Sequence, residues 1–191
     1  MSWLPISPPF VPEGTLLPTI EWKEYKNTRY GFTLKNPQDG LHRIITDEQY
    51  QITDDPSAVG MLVELEPSSN PNKLGISGGS LPPCALPDPR LAGLTFEKQV
   101  EQIPIFPDTA RRSKVIPVTA GERSGYGLVV RSGYVQCGGS HIYIDEVQLA
   151  ENEIVYLFFK TSDGYVSIDY PRDSQMAQTI VSTFKFVADS E

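Results

Sequence analysis

The side chains able to do chemistry are few and scattered. His141, Tyr143 and Asp145 stand at alternate positions of the run His141 to Leu149. On a strand, alternate residues share a face at about 7 Å per step of two, so these three form a row that can contact a ligand or a cation. With a serine from elsewhere, His141 and Asp145 would also supply the parts of a hydrolytic triad. A lone strand histidine is more often solvated or hydrogen-bonded than catalytic, and that simpler reading is preferred. Gly75-Ile76-Ser77-Gly78-Gly79 matches G-x-S-x-G, whose serine must sit on a sharp strand-to-helix turn. Asn70-Pro71-Asn72 before it and Leu81-Pro82-Pro83 after it supply neither the buried strand nor the helix.

Cys84, Cys137, His42 and His141 are all the cysteines and histidines of the chain. A zinc site needs about four ligands, and neither CxxC nor a close histidine pair exists. One disulfide, two buried free thiols and a half-built metal site all remain open for Cys84 and Cys137. A hard cation would choose carboxylates such as Asp47, Glu48, Asp54 and Asp55, although their spacing is not that of an EF-hand. No phosphate-cradling G-x-x-x-x-G-K-[ST] and no G-x-G-x-x-G after a strand occurs, so no nucleotide cofactor is expected. With no coherent catalytic set, the chain reads as a non-enzyme that needs no cofactor.

The elements that must position these residues are mostly strands. At 191 residues the chain can bury one sufficient core without staples. Residues 1–20, with five prolines, read as an extended arm or linker, and residues 21–188 as a single domain. Residues 67–89, with six prolines and the Gly78-Gly79 pair, read as a long loop or insertion. Trp22 to Lys35 predicts a hairpin turning at Asn27 to Tyr30, and Ala58 to Glu66 a half-buried strand. Thr95 caps a short helix bearing Phe96, Val100 and Ile103, which Pro104 ends. Strands follow at Lys114 to Thr119, Tyr126 to Arg131, His141 to Leu149, Ile154 to Thr161 and Val166 to Tyr170. Ile154 to Phe159 lacks polar alternation, which predicts a central strand covered on both faces. Residues 173–182 carry a helical apolar stripe, and Thr183 to Val187 a last strand. The expected class is α+β, one antiparallel sheet with packed helices.

Charge narrows the partners. Sixteen Lys and Arg against 24 Asp and Glu leave a net charge of −8, which opposes binding to a phosphate backbone. The cluster Arg111, Arg112 and Lys114 precedes the apolar run Val115 to Val118 and reads as a solvated strand entry. The longest uncharged stretch, Leu74 to Pro87, is broken by glycines and prolines, so no membrane span is expected. Met1 to Pro12 lacks both the basic and the apolar region of a secretory signal.

The segment Trp22-Lys23-Glu24-Tyr25-Lys26-Asn27-Thr28-Arg29-Tyr30-Gly31-Phe32-Thr33-Leu34-Lys35-Asn36-Pro37 and the tail Met176-Ala177-Gln178-Thr179-Ile180-Val181-Ser182-Thr183-Phe184-Lys185-Phe186 together resemble the PsbP-like family. That family includes the extrinsic protein of photosystem II and bacterial lipoprotein domains. Its members open on a Tyr-Gly-Phe hairpin and close on a helix running into Ser-Thr-Phe-Lys-Phe. This chain departs from the pattern after Pro37, with Leu41 where members often carry Trp. The resemblance spans residues 22–187 and implies an antiparallel sheet flanked by helices, an α/β/α sandwich. It also implies a non-catalytic binding or assembly module that docks to another protein. Family members are commonly exported, so the resemblance implies an extracytoplasmic, periplasmic or cell-surface location and a tether through a removed N-terminal segment. In such a compartment a Cys84–Cys137 disulfide is the favoured state of the two thiols. The rival functions are a small-molecule carrier, binding between sheet and helix, and a serine hydrolase using His141.

Overall fold

The computed structural model describes residues 16–28, 30–37, 43–46, 60–66, 74–79, 93–106, 109–135, 153–162 and 164–187. The chain opens with a hairpin, β1 (Lys23–Asn27) and β2 (Phe32–Asn36). Its turn is set by local chemistry: the Asn27 side-chain oxygen accepts the Tyr30 N–H at 3.0 Å, and Gly31 takes a φ of +63° that a residue with a side chain resists. The last strand, β13 (Lys185–Phe186), joins the free edge of β2 with Phe186 opposite Phe32 and Lys185 opposite Thr33. The result is a three-stranded sheet in the order β1-β2-β13.

A larger antiparallel sheet of eight strands contains β3 (Arg43–Thr46), β4 (Gly60–Glu66), β5 (Gly75–Gly79), β7 (Arg111–Arg112), β8 (Ile116–Ala120), β9 (Arg123–Arg131), β11 (Glu153–Thr161) and β12 (Gly164–Pro171). Its order is β3-β4-β5-β12-β11-β9-β7, with β8 also paired to β9. A two-stranded ribbon joins β6 (Ile105–Phe106) to β10 (Tyr134–Val135). The helices among the described residues are α1 (Phe96–Glu101), capped by the Thr95 hydroxyl, and α2 (Gln175–Thr183), capped by the Ser174 hydroxyl.

The strand β11 lies between β9 and β12, as its unbroken apolar run requires. Val155, Leu157 and Phe159 face one side, where they pack with Phe32, Leu34, Ala177, Ile180, Phe184 and Phe186 from the three-stranded sheet and α2. Phe158 faces the other side, with Val100 and Ile103 from the α1 segment and Leu128 and Val130 from β9. Two apolar cores thus sit on the two faces of one sheet.

This arrangement corrects the expected α/β/α sandwich. Among the described residues strands far outweigh the two short helices, so the fold is sheet-dominated and not a sheet flanked by helices. The reason is geometric. Seven strands lie side by side, since β7 and β8 share one edge of β9, and at about 4.8 Å each they span about 34 Å, whereas helices of six and nine residues reach only about 9 and 14 Å. The three-stranded sheet therefore serves as a cover: Phe184 stacks on Phe159 with ring centroids 6.1 Å apart, and Phe186 meets the same ring edge-on at 5.2 Å. The expected single sheet is correspondingly divided.

The stretch 67–89, expected as a loop, is interrupted by β5, which pairs with β4 on one side and β12 on the other. The arm contributes residues 16–20, where the Leu17 N–H donates to the Thr179 hydroxyl of α2 at 3.1 Å. Among the described residues no helix is long and apolar enough to cross a membrane.

Candidate interaction site

His141, Tyr143 and Asp145 lie outside the described residues, as do Cys84, Cys137, Asp47, Glu48, Asp54 and Asp55. Among the described residues no group of three or more His, Cys, Asp or Glu is placed to hold a metal ion. Ser77 is described, and it sits in mid-strand opposite Ser167, with Gly75 opposite Asp169. A serine inside a doubly paired strand is not on the strand-to-helix turn that an elbow requires, so the G-x-S-x-G match has no structural counterpart.

Around Ser77 the sheet presents a row of small and polar groups. A Cβ built on Gly75 would lie 3.0 Å from a carboxylate oxygen of Asp169, so the missing side chain is what lets that carboxylate lie over β5. Asp169 stands opposite Tyr156 on its other side. The Tyr156 hydroxyl accepts the Val135 N–H at 3.1 Å. Burial, with a smaller contribution from the Asp169 charge, pushes the Tyr156 phenol well above its ordinary range. It is a fixed neutral hydrogen-bonding group and a poor general base.

A different region concentrates charge. β7 is two arginines, both exposed, and Arg111 stands opposite Arg131 in register while Arg112 stands opposite Val130. Like charges directly across a strand pair repel. Arg131 in turn faces Glu153 on β11 and forms an ion pair with it. The second oxygen of Glu153 takes the Arg172 guanidinium at 2.7 Å, with Glu153 and Arg172 side chains only 15% and 16% exposed. One carboxylate therefore serves two arginines, and Arg111, Arg112 and the exposed Lys114 add further positive charge at the same end of the sheet. Because neighbouring strand residues point to opposite faces, Arg111 and Arg112 make both faces of this edge positive.

An aromatic pair stands next to it. Phe106 and Tyr134, opposite each other across the β6–β10 ribbon, have ring centroids 6.4 Å apart, and Phe106 is 38% exposed. The turn from β9 into β10 holds the ribbon in place. Ser132 adopts a left-handed φ of +56°, which disfavours a residue with a side chain. Any Cβ on Gly133 would collide with the Ala110 Cβ and the Phe106 carbonyl oxygen, so only glycine lets the ribbon close on the residues leading into β7. Strain kept beside an exposed charged edge is the pattern found at sites with a use.

The triplet Arg111, Arg112 and Lys114 is visible in the sequence, where it reads as a solvated strand entry. Arg131, Glu153, Arg172, Phe106 and Tyr134 carry no sequence signal that links them, because their proximity depends on the registers of β7, β9 and β11. Chemically the assembly suits recognition of anionic and apolar groups together: guanidinium groups offer forked donors to carboxylates, and the aromatic pair offers area. No family model matches the chain, and no curated protein matches it.

Proposed function

We propose that the protein is a non-catalytic binding or assembly module of the PsbP-like kind, which docks to another protein through the basic end of its large sheet. The observation that carries this reading is the local reversal of charge: a chain of net charge −8 collects four exposed cations, Arg111, Arg112, Lys114 and Arg131, beside the exposed Phe106 and its half-buried partner Tyr134. Residues of this kind, arginine and aromatics above all, dominate protein interfaces. The PsbP-like resemblance is supported by the way its two marker segments come together, the Tyr30-Gly31-Phe32 hairpin and the Phe184-Lys185-Phe186 tail, in one small sheet where Phe32 stands opposite Phe186. The same resemblance implies an exported protein.

The test is a comparison of two baits, the intact protein and an Arg111→Glu/Arg131→Glu variant, in extracts of the source cells. One protein retained stoichiometrically by the first bait, lost with the second, and re-forming a complex after separate purification is the expected result. Turnover in a broad esterase and glycosidase screen, abolished by His141→Ala, would instead establish an enzyme.

A further inference from the structure

We infer that the partner is engaged as an extended acidic segment that adds itself as a strand beside β7; this rests on the docking reading above. Among the described residues β7 and β8 form the outer rim of the large sheet along β9. The two halves of that rim are protected differently. In β8, Pro117 stands opposite Tyr126 and has no N–H to offer, which blocks ladder formation there. In β7 no proline intervenes, and among the described residues charge alone guards the backbone. Positive charge repels most chains but attracts an acidic one.

The arrangement selects for extension as well as for charge. A strand laid against β7 sets its side chains directly across from Arg111 and Arg112, and these alternate between the two faces. An extended chain with acidic residues at neighbouring positions meets both arginines at once. A helix presents acidic groups to one side only. Carboxylates at this rim also relieve the repulsion between Arg111 and Arg131, for which Glu153 is an insufficient counter-ion because it already holds Arg172. An apolar side chain of the same segment can rest on Phe106 and Tyr134. Main-chain hydrogen bonds then give affinity and the arginines give selectivity, as in strand addition generally.

The test uses the full chain and fluorescein-labelled nonapeptides read by anisotropy. The first peptide alternates Glu-Glu pairs with Thr and Val, the second carries Lys for every Glu, and the third is the first with alternate backbone amides N-methylated. Binding of the first only, weakening steeply with salt, is expected. Arg111→Gln/Arg112→Gln should weaken it by about tenfold or more, whereas Lys23→Gln/Lys26→Gln on β1 should leave it unchanged. A thermal melt of each variant confirms folding, and the single Arg112→Gln, expected to lose part of the affinity, covers the case in which the double variant does not fold. Equal binding of the lysine peptide, unchanged binding after N-methylation, or full affinity in the Arg111/Arg112 variant would overturn the inference. Capture of a folded partner that survives competition by the acidic peptide would overturn strand addition alone and leave the docking reading standing.

Discussion

Phe186 stands directly opposite Phe32, with the Phe184 ring 4.9 Å from the Phe32 ring and the Phe159 ring of the large sheet beneath both tail aromatics. The two ends of the described chain thus meet over the centre of the larger core. Phe32 is fully buried, and its loss leaves a cavity in which β1–β2, β13 and β11 all lose contacts.

Phe32→Ala should cost about 3–5 kcal/mol, and Phe186→Ala less, because Phe186 is 8% exposed. The double variant should lose less than the sum, since the two rings share one core. Urea unfolding followed by tryptophan fluorescence measures all three values. Additive losses would mean that the β1–β2 hairpin and the tail are energetically separate.

Gly125→Ala should be among the most damaging single substitutions. A Cβ there meets the Phe158 carbonyl oxygen, which cannot move without disturbing the β9–β11 ladder, and the Phe159 ring, which is held in the core. The expected cost is about 2–3 kcal/mol, with broadened amide resonances confined to β9 and β11.

Ser132→Gly should stabilise the protein by about 0.5–1 kcal/mol, because glycine adopts the left-handed conformation without the steric penalty that serine bears. Gly133→Ala should do the reverse and displace the β6–β10 ribbon. Thermal melts report the first effect. Loss of the nuclear Overhauser contacts between Phe106 and Tyr134 reports the second.

Glu153→Gln should cost about 2 kcal/mol, since it leaves Arg131 and the largely buried Arg172 facing each other without their shared counter-ion. The Arg172 N–H to Glu153 carbonyl bond of 2.8 Å survives the change, so the fold should persist and the loss should appear as a lower urea midpoint at constant slope.

Stability should fall in alkali. Burial raises the Tyr170 phenol to about 12 and moves Tyr156 in the same direction, so both bind their protons more tightly in the folded state than in the unfolded one. The contribution of these phenols is complete below pH 10 and is lost as pH rises from 10 through 12, at up to about 1.4 kcal/mol per pH unit for each group. Denaturation midpoints at pH 8, 10 and 11, compared with those of a Tyr156→Phe/Tyr170→Phe variant, test this. The variant should show the shallower decline.

The elements legible in the sequence are those fixed by local chemistry. The hairpin at residues 22–35 is marked by its turn asparagine and Gly31, α1 by Thr95, and β11 by an apolar run that only a doubly covered strand tolerates. The division into separate sheets is not legible, because whether a hairpin joins an edge or covers a face depends on contacts between distant segments. β5 is hidden for another reason. Gly75-Ile76-Ser77-Gly78-Gly79 has almost none of the β-branched or aromatic residues that signal a strand, yet it fits between β4 and β12 because its glycines leave room for neighbours such as Asp169. For the candidate site, the arginine triplet was in plain view, but its meaning depends on the register that sets Arg111 against Arg131. The row of His141, Tyr143 and Asp145 falls outside the described residues.

Because β2 waits for β13, its second neighbour leaves the ribosome long after the first. Until then the Phe32 edge stays uncovered, and such long-range closure makes for slow folding. A nascent protein built this way depends on whatever shields that sticky hairpin during translation, and a chain truncated before Phe184 would be released with its core unsealed.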